Sequence, residues 1–147
     1  MKKLLLSVIL ITVTVATIAQ ESDKDAIKQV IQTAYVEGIQ NEGNIEKIDS
    51  GIHPEFRLVG IGEGDEIWIL PISEWKESVK KRVKEGKLPR TGQDKVSVKF
   101  LDIDITGRAA MVKLEFYLGK QLRFIDYIGL YKFESGWMMV SKTYEEM

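Results

Sequence analysis

The feature of this sequence closest to chemistry is an acid among apolar neighbours. Asp126 alternates with Leu122, Phe124, Ile128 and Leu130, and alternation along a strand puts such residues on one face. A carboxylate in that company is either paired and hydrogen-bonded or pushed toward its protonated form. It is therefore a pocket acid or ligand contact, or else one half of a structural ion pair. Lys142 falls in the last apolar run, alternating with Met138, Val140 and Tyr144. It meets Asp126 or an anionic ligand, or its stem snorkels to water.

His53 is the sole histidine, and it precedes Pro54. Histidine titrates near neutral pH, so a base beside a pocket is one reading. The other is a structural stop whose ring bonds a nearby carbonyl. No Ser or Asp at fixed spacing marks a triad. Tyr35, Arg57 and Trp68 complete the candidate set. Trp68, with Phe56, Trp75 and Trp137, supplies aromatic surface that suits a planar ligand or an ordinary core. Gly60-Ile61-Gly62-Glu63-Gly64 lacks the lysine and following helix of a phosphate loop and reads as a hairpin turn.

Composition removes several classes. The sequence has no cysteine, which excludes disulfides, thiol nucleophiles, thiolate zinc sites and a lipid-anchored cysteine. With 1 histidine, a histidine-rich metal site is excluded as well. The net charge is −1, without the basic footprint of a nucleic-acid binder. Lys80, Lys81, Arg82 and Lys84 are interleaved with Glu77 and Glu85, the pattern of a solvated helix face. No metal, cofactor or nucleic acid is expected.

The start of the chain reads as an address. Lys2 and Lys3 precede an apolar run from Leu4 to Ile18, and Thr17 and Ala19 offer small residues before Gln20. Charge, apolar stretch and small-residue exit define a cleavable signal peptide, here residues 1–19. The run is short for a membrane span of about 20 residues. A secreted or periplasmic product follows, soluble after cleavage, with residues 20–147 as one domain.

Periodicity gives the helices and strands that hold these candidates. Ser22 caps a helix bearing Ile27, Val30, Ile31, Ala34, Tyr35 and Ile39, one helical face. Asn44 caps a short helix carrying Ile45, Ile48 and Ile52, which His53-Pro54 stops. A strand over Phe56–Ile61 returns through Glu66–Leu70, and Ser73 caps a third helix with Trp75, Val79 and Val83 on its apolar stripe. From Val96 the period is two. The phase slips at Phe100-Leu101, which predicts a β-bulge where the sheet bends. Strands follow over Ala110–Phe116, Leu122–Phe133 and Trp137–Tyr144, separated by turns at Gly119-Lys120 and Ser135-Gly136. Helices followed by long strands form an α+β layer architecture, and a strongly curved antiparallel sheet wrapped around the N-terminal helices leaves a cone with a pocket inside.

His53-Pro54-Glu55-Phe56-Arg57-Leu58, Asp126-Tyr127-Ile128 and Gly136-Trp137-Met138-Met139-Val140-Ser141-Lys142 together resemble the putative lumazine-binding family of the nuclear transport factor 2-like superfamily. That superfamily also holds the SnoaL-like cyclases and ketosteroid isomerase. The resemblance runs from Asp25 to Tyr144 and implies the cone fold. It places Tyr35 near the oxyanion-binding tyrosine of the isomerase branch. That branch also needs a general-base acid on the first strand, where this chain has Arg57-Leu58-Val59-Gly60, and a second acid near Gly129. Both are missing, so the isomerase mechanism is not implied.

The resulting expectation is an exported, non-catalytic domain with an internal, partly aromatic pocket for a small molecule. Tyr35, His53, Arg57, Trp68, Asp126 and Lys142 are its ligand-binding candidates. One alternative is a SnoaL-like isomerase, dehydratase or cyclase acting on a cyclic substrate. The other is a dimeric interaction module. A homodimer across the sheet is expected, because Ile125, Tyr127, Tyr131 and Phe133 oppose the apolar face of Leu122, Phe124, Ile128 and Leu130 and need a cover.

Overall fold

Isoleucines and alanines at helical spacing open the described chain, and glycines in left-handed geometry mark several of the later turns. The computed structural model describes residues 19–147; the leader expected over residues 1–19 lies, but for Ala19, outside them. Helix α1 covers residues 19–42, and its second part, Ile31–Glu42, is π-helical. Gly43 ends it at φ 72°, with its N–H donating to the Gly38 carbonyl. Asn44 caps α2 (Ile45–Gly51), its side chain accepting from the Lys47 N–H. Strand β1 (Ile52–Ile61) starts earlier than expected. Ile52, His53 and Pro54 already belong to the sheet rather than to a helix end, because extended geometry is what Pro54 favours in the residue before it.

Strand β2 (Ile67–Pro71) pairs with β1, and α3 (Ile72–Lys84) follows at once, with Pro71 rather than Ser73 at its N-cap. Strands β3 (Val96–Thr106), β4 (Ala109–Leu118), β5 (Gln121–Phe133) and β6 (Gly136–Glu146) complete the molecule. The sheet order is β2-β1-β6-β5-β4-β3. All neighbours are antiparallel except β1 and β6, which run parallel, so the sheet is mixed. The helices cover one face. Their apolar residues Ile27, Ile31, Val36, Ile39, Ile48 and Val79 are fully buried, alongside Phe56, Val112, Leu114, Ile128 and Met139 from the sheet.

Besides an irregular stretch of β1 between Ile52 and Arg57 against β6, three single-residue bulges bend the sheet. Phe100 pairs with Leu114 and Asp102 with Lys113, which leaves Leu101 as the extra residue, where the phase slip predicted it. Arg123 is extra between the pairs Phe116–Phe124 and Tyr117–Leu122. Val140 is extra between Gly129–Ser141 and Leu130–Met139. Each bulge flips the faces on one side of it. Two parity readings are corrected as a result. Leu122 does not share the inner face of Phe124 and Asp126. Lys142 shares its face with Trp137 and Met139, both buried, and not with Met138 and Val140.

Candidate functional site

Asp126 sits on the inner face of β5, between Leu114 of β4 and Tyr144 of β6. Lys142 is paired with Ile128, one step along β6 on the same face. That diagonal offset is within reach of a long side chain, and Lys142 Nζ lies 2.6 Å from Asp126 Oδ1. This is an ion contact rather than an aligned hydrogen bond, and Oδ1 meets no other partner. Tyr35 reaches down from α1, and its hydroxyl donates to Asp126 Oδ2 at 2.9 Å. The side chains are 0% (Asp126) and 5% (Lys142) exposed.

Burial sets the electrostatics. It pushes the Asp126 carboxyl above its ordinary value, against the opposing pull of Lys142 and of the Tyr35 hydroxyl. It lowers the Lys142 ammonium, against the support of Asp126. It raises the Tyr35 phenol well above its usual range, with the charge of Asp126 adding to the effect. Tyr35 is therefore a fixed donor, and the charges of Asp126 and Lys142 depend on each other.

Beside this array lies a cavity of about 190 Å³, lined by Tyr35, Gln40, Leu58, Trp75, Phe116, Phe124, Lys142 and Tyr144. Its walls are an aromatic cage. Tyr35 meets Trp75 edge-on at 6.1 Å, and Phe124 stands at 82° to Tyr144 with centroids 5.2 Å apart. Lys142 Nζ lies 4.7 Å from the Tyr144 ring centre and 5.4 Å from that of Tyr35. The π-helical stretch explains how Gln40 joins the site. Its turns close from i to i+5, so residues five apart share a face, as the Gln32–Glu37 hydrogen bond at 3.0 Å shows. Tyr35 and Gln40 stand in that relation. Sequence reasoning missed Gln40 because an ordinary helix turns it away from Tyr35.

Of the candidates, the structure brings Tyr35, Asp126 and Lys142 together. Trp68 stands just behind, its ring 6.2 Å from that of Tyr144, in room left by Gly60 across the β1–β2 pair. Arg57 is not a neighbour of Asp126. It follows buried Phe56 and precedes buried Leu58 on β1, so it faces outward, and it bonds Glu55 at 3.2 Å. His53 is also outside the cone. It stacks on Phe133 at 4.9 Å, and its Nδ1 accepts from the Glu55 N–H at 3.1 Å, the local backbone role with an amide in place of the expected carbonyl. Among the described residues no group of three or more His, Asp or Glu is arranged to hold a metal ion.

Residues 22–145 match the family described as Putative lumazine-binding. The chain belongs to that family. None of the curated proteins matches this member. Among solved structures, an NTF2-like protein of unknown function from Shewanella baltica is 21% identical, with 86% of this chain and 94% of that one covered and a TM-score of 0.66. An NTF-2 like protein of unknown function from Silicibacter pomeroyi is 18% identical, with 87% and 98% covered and a TM-score of 0.69. A de novo designed protein with a curved β-sheet aligns over 80% of this chain and 98% of its own, at 11% identity and a TM-score of 0.51. At these identities the likeness shows the fold, the nuclear transport factor 2-like α+β cone. Among the described residues of this family member no helix is long and apolar enough to cross a membrane.

Proposed function

We propose that this protein is an exported binding domain whose cone takes a small planar molecule. The observation that carries the reading is the buried, mutually paired Tyr35–Asp126–Lys142 array, whose Tyr35 and Lys142 stand in the wall of an aromatic cavity with Asp126 behind them. A free buried acid would favour proton-transfer catalysis. Here each charge has its partner, which favours recognition. The family's name points the same way, since lumazine is a flat heteroaromatic ring with carbonyl acceptors. Rings of that kind suit walls built from Trp75, Phe116, Phe124 and Tyr144, with Lys142 and Gln40 as the polar contacts. Export rests on the charged, apolar and small-residue order of residues 1–19. N-terminal sequencing of the secreted protein should begin at Gln20, and a product beginning at Met1 would overturn that part.

Native mass spectrometry of protein purified from its own host tests the binding reading. The expected result is a retained small molecule, released on unfolding and replaceable by a planar heteroaromatic with a shift of the Trp75 indole resonance. Protein that carries no ligand, and whose Trp75 resonance ignores such compounds, would refute it.

A second reading concerns the opposite face. Met111, Tyr127 and Tyr131 are 50%, 40% and 53% exposed there, more apolar surface than a lone sheet face usually leaves in water. This supports a homodimer across the sheet. Sedimentation equilibrium should show it at micromolar concentration, and Tyr131→Lys should dissociate it.

A further inference from the structure

Among the described residues Lys142 is the one buried cation, set opposite a buried carboxylate where two apolar side chains would pack at least as well. Its surroundings are those of a reactive amine. It lines the cavity between the faces of Tyr35 and Tyr144, and its one ionic partner, Asp126 Oδ1, has no hydrogen-bond donor besides it. Asp126 Oδ2 is held by the Tyr35 hydroxyl, so the two oxygens divide their work. One anchors the carboxylate, and the other faces the ammonium at 2.6 Å, where it can take a proton from Lys142 and return it. We propose that Lys142 captures an aldehyde or ketone carried on a planar ring, forming a reversible imine within the cone.

The step balances without a further reactant. Lys142 Nζ passes a proton to Asp126 Oδ1 over 2.6 Å. The neutral amine attacks the carbonyl carbon: an N–C bond forms, the carbonyl π bond breaks, and a proton moves from nitrogen to the new oxygen. Asp126 then returns its proton to that hydroxyl, the C–O bond breaks, and water leaves. The product is a protonated imine beside a carboxylate. The buried site thus holds one cation and one anion both before and after, so capture leaves no uncompensated charge in a place where that is costly. Burial already lowers the Lys142 ammonium and raises the Asp126 carboxyl, which brings the first transfer closer to balance. Desolvation is a recognised way to make a lysine nucleophilic.

This inference rests on the cone being a ligand site, and the test separates the two. Wild-type protein is incubated at neutral pH with benzaldehyde and cyanoborohydride, then mapped by peptide mass spectrometry. Benzyl alcohol, which has no carbonyl, is titrated in parallel while the Trp75 indole resonance is followed. The peptide carrying Lys142 should be benzylated roughly tenfold faster than those carrying surface lysines. Asp126→Asn, with a native circular dichroism spectrum, should slow that labelling at least about tenfold, a conservative floor for a lost proton-transfer group. Labelling confined to surface lysines would overturn the proposal even if benzyl alcohol moves Trp75, in which case the binding site stands without the imine. If the variant fails to fold, the wild-type map decides alone.

Discussion

Removing the amine of Lys142 while keeping its length tests the electrostatic account most directly. Lys142→Met leaves the Asp126 carboxylate with 0% exposure and no cation. Breaking a buried pair in this way costs about 3–5 kcal/mol. The Tyr35 hydroxyl still donates at 2.9 Å, which places the cost at the lower end, about 3 kcal/mol. Against a total stability of roughly 5–15 kcal/mol that is a large share. With a urea slope of about 2 kcal/mol/M the midpoint should fall by about 1.5 M. The pH dependence carries its own sign. Without Lys142, burial raises the Asp126 carboxyl further above its unfolded value. A raised acid contributes stability below its unfolded pKa, and that contribution is lost as pH rises through the folded one. The variant should therefore become more stable on acidification, through the window between the raised folded value and the unfolded one. Asp126→Leu with Lys142→Met removes both charges and should regain at least about 2 kcal/mol of the loss, with the coupling read from a double-mutant cycle. A midpoint shift under about 0.3 M for Lys142→Met, or a double variant no more stable than the single, would refute the reasoning.

Asn41 exchanges two hydrogen bonds with the backbone of Val96, at 2.8 and 3.0 Å, and is 2% exposed; Asn41→Ala should cost about 2–4 kcal/mol and speed hydrogen exchange of the Val96 amide. A Cβ at Gly60 would collide with the Trp68 indole, so Gly60→Ala should cost about 1–3 kcal/mol and move the Trp68 ring away from Tyr144, visible in the indole resonance. Asp23 is held below its ordinary value of 3.8 by hydrogen bonds from Lys132 and Trp137. Its contribution to stability is complete above that value and fades as the pH falls through the lowered one; a carboxyl NMR titration giving a midpoint at or above 3.8 would contradict the contact.

The fold was legible because periodicity is a local property. Val96, Val98 and Phe100 against Ile103 and Ile105 announced both the strand and its bulge at Leu101, and Gly119 and Gly136 marked their turns. What could not be read were irregularities without such a signature. The bulge at Val140 lies in a continuous apolar stretch, Trp137-Met138-Met139-Val140, where either parity buries something apolar. Lys142 was consequently assigned the wrong strand companions, although its partner Asp126 was named. The outward turn of Arg57 was legible, because it alternates with Phe56 and Leu58, both buried. Gln40 was hidden because its face depends on π-helical winding, which the sequence of α1 does not mark.

Energetics, finally, separates a structural role for the buried pair from a functional one. A lysine and an aspartate at these positions gain little stability over two well-packed apolar side chains, since desolvation offsets most of their attraction. The site could have been filled by leucine and methionine, like its neighbours Leu114, Ile128 and Met139. A buried ion pair whose lysine stands in a cavity wall with its aspartate just behind, kept at some expense in stability, is the pattern in which a protein trades stability for a site. The double variant Asp126→Leu/Lys142→Met puts that argument at risk. If the pair serves a ligand, this variant should stay within about 1 kcal/mol of wild type and lose the molecule retained from the host. If the pair is only a relic of packing, the ligand should stay bound while the stability changes by the same small amount. Retention of the ligand in a well-folded double variant would remove the pair from the site and leave the aromatic cage to account for recognition alone.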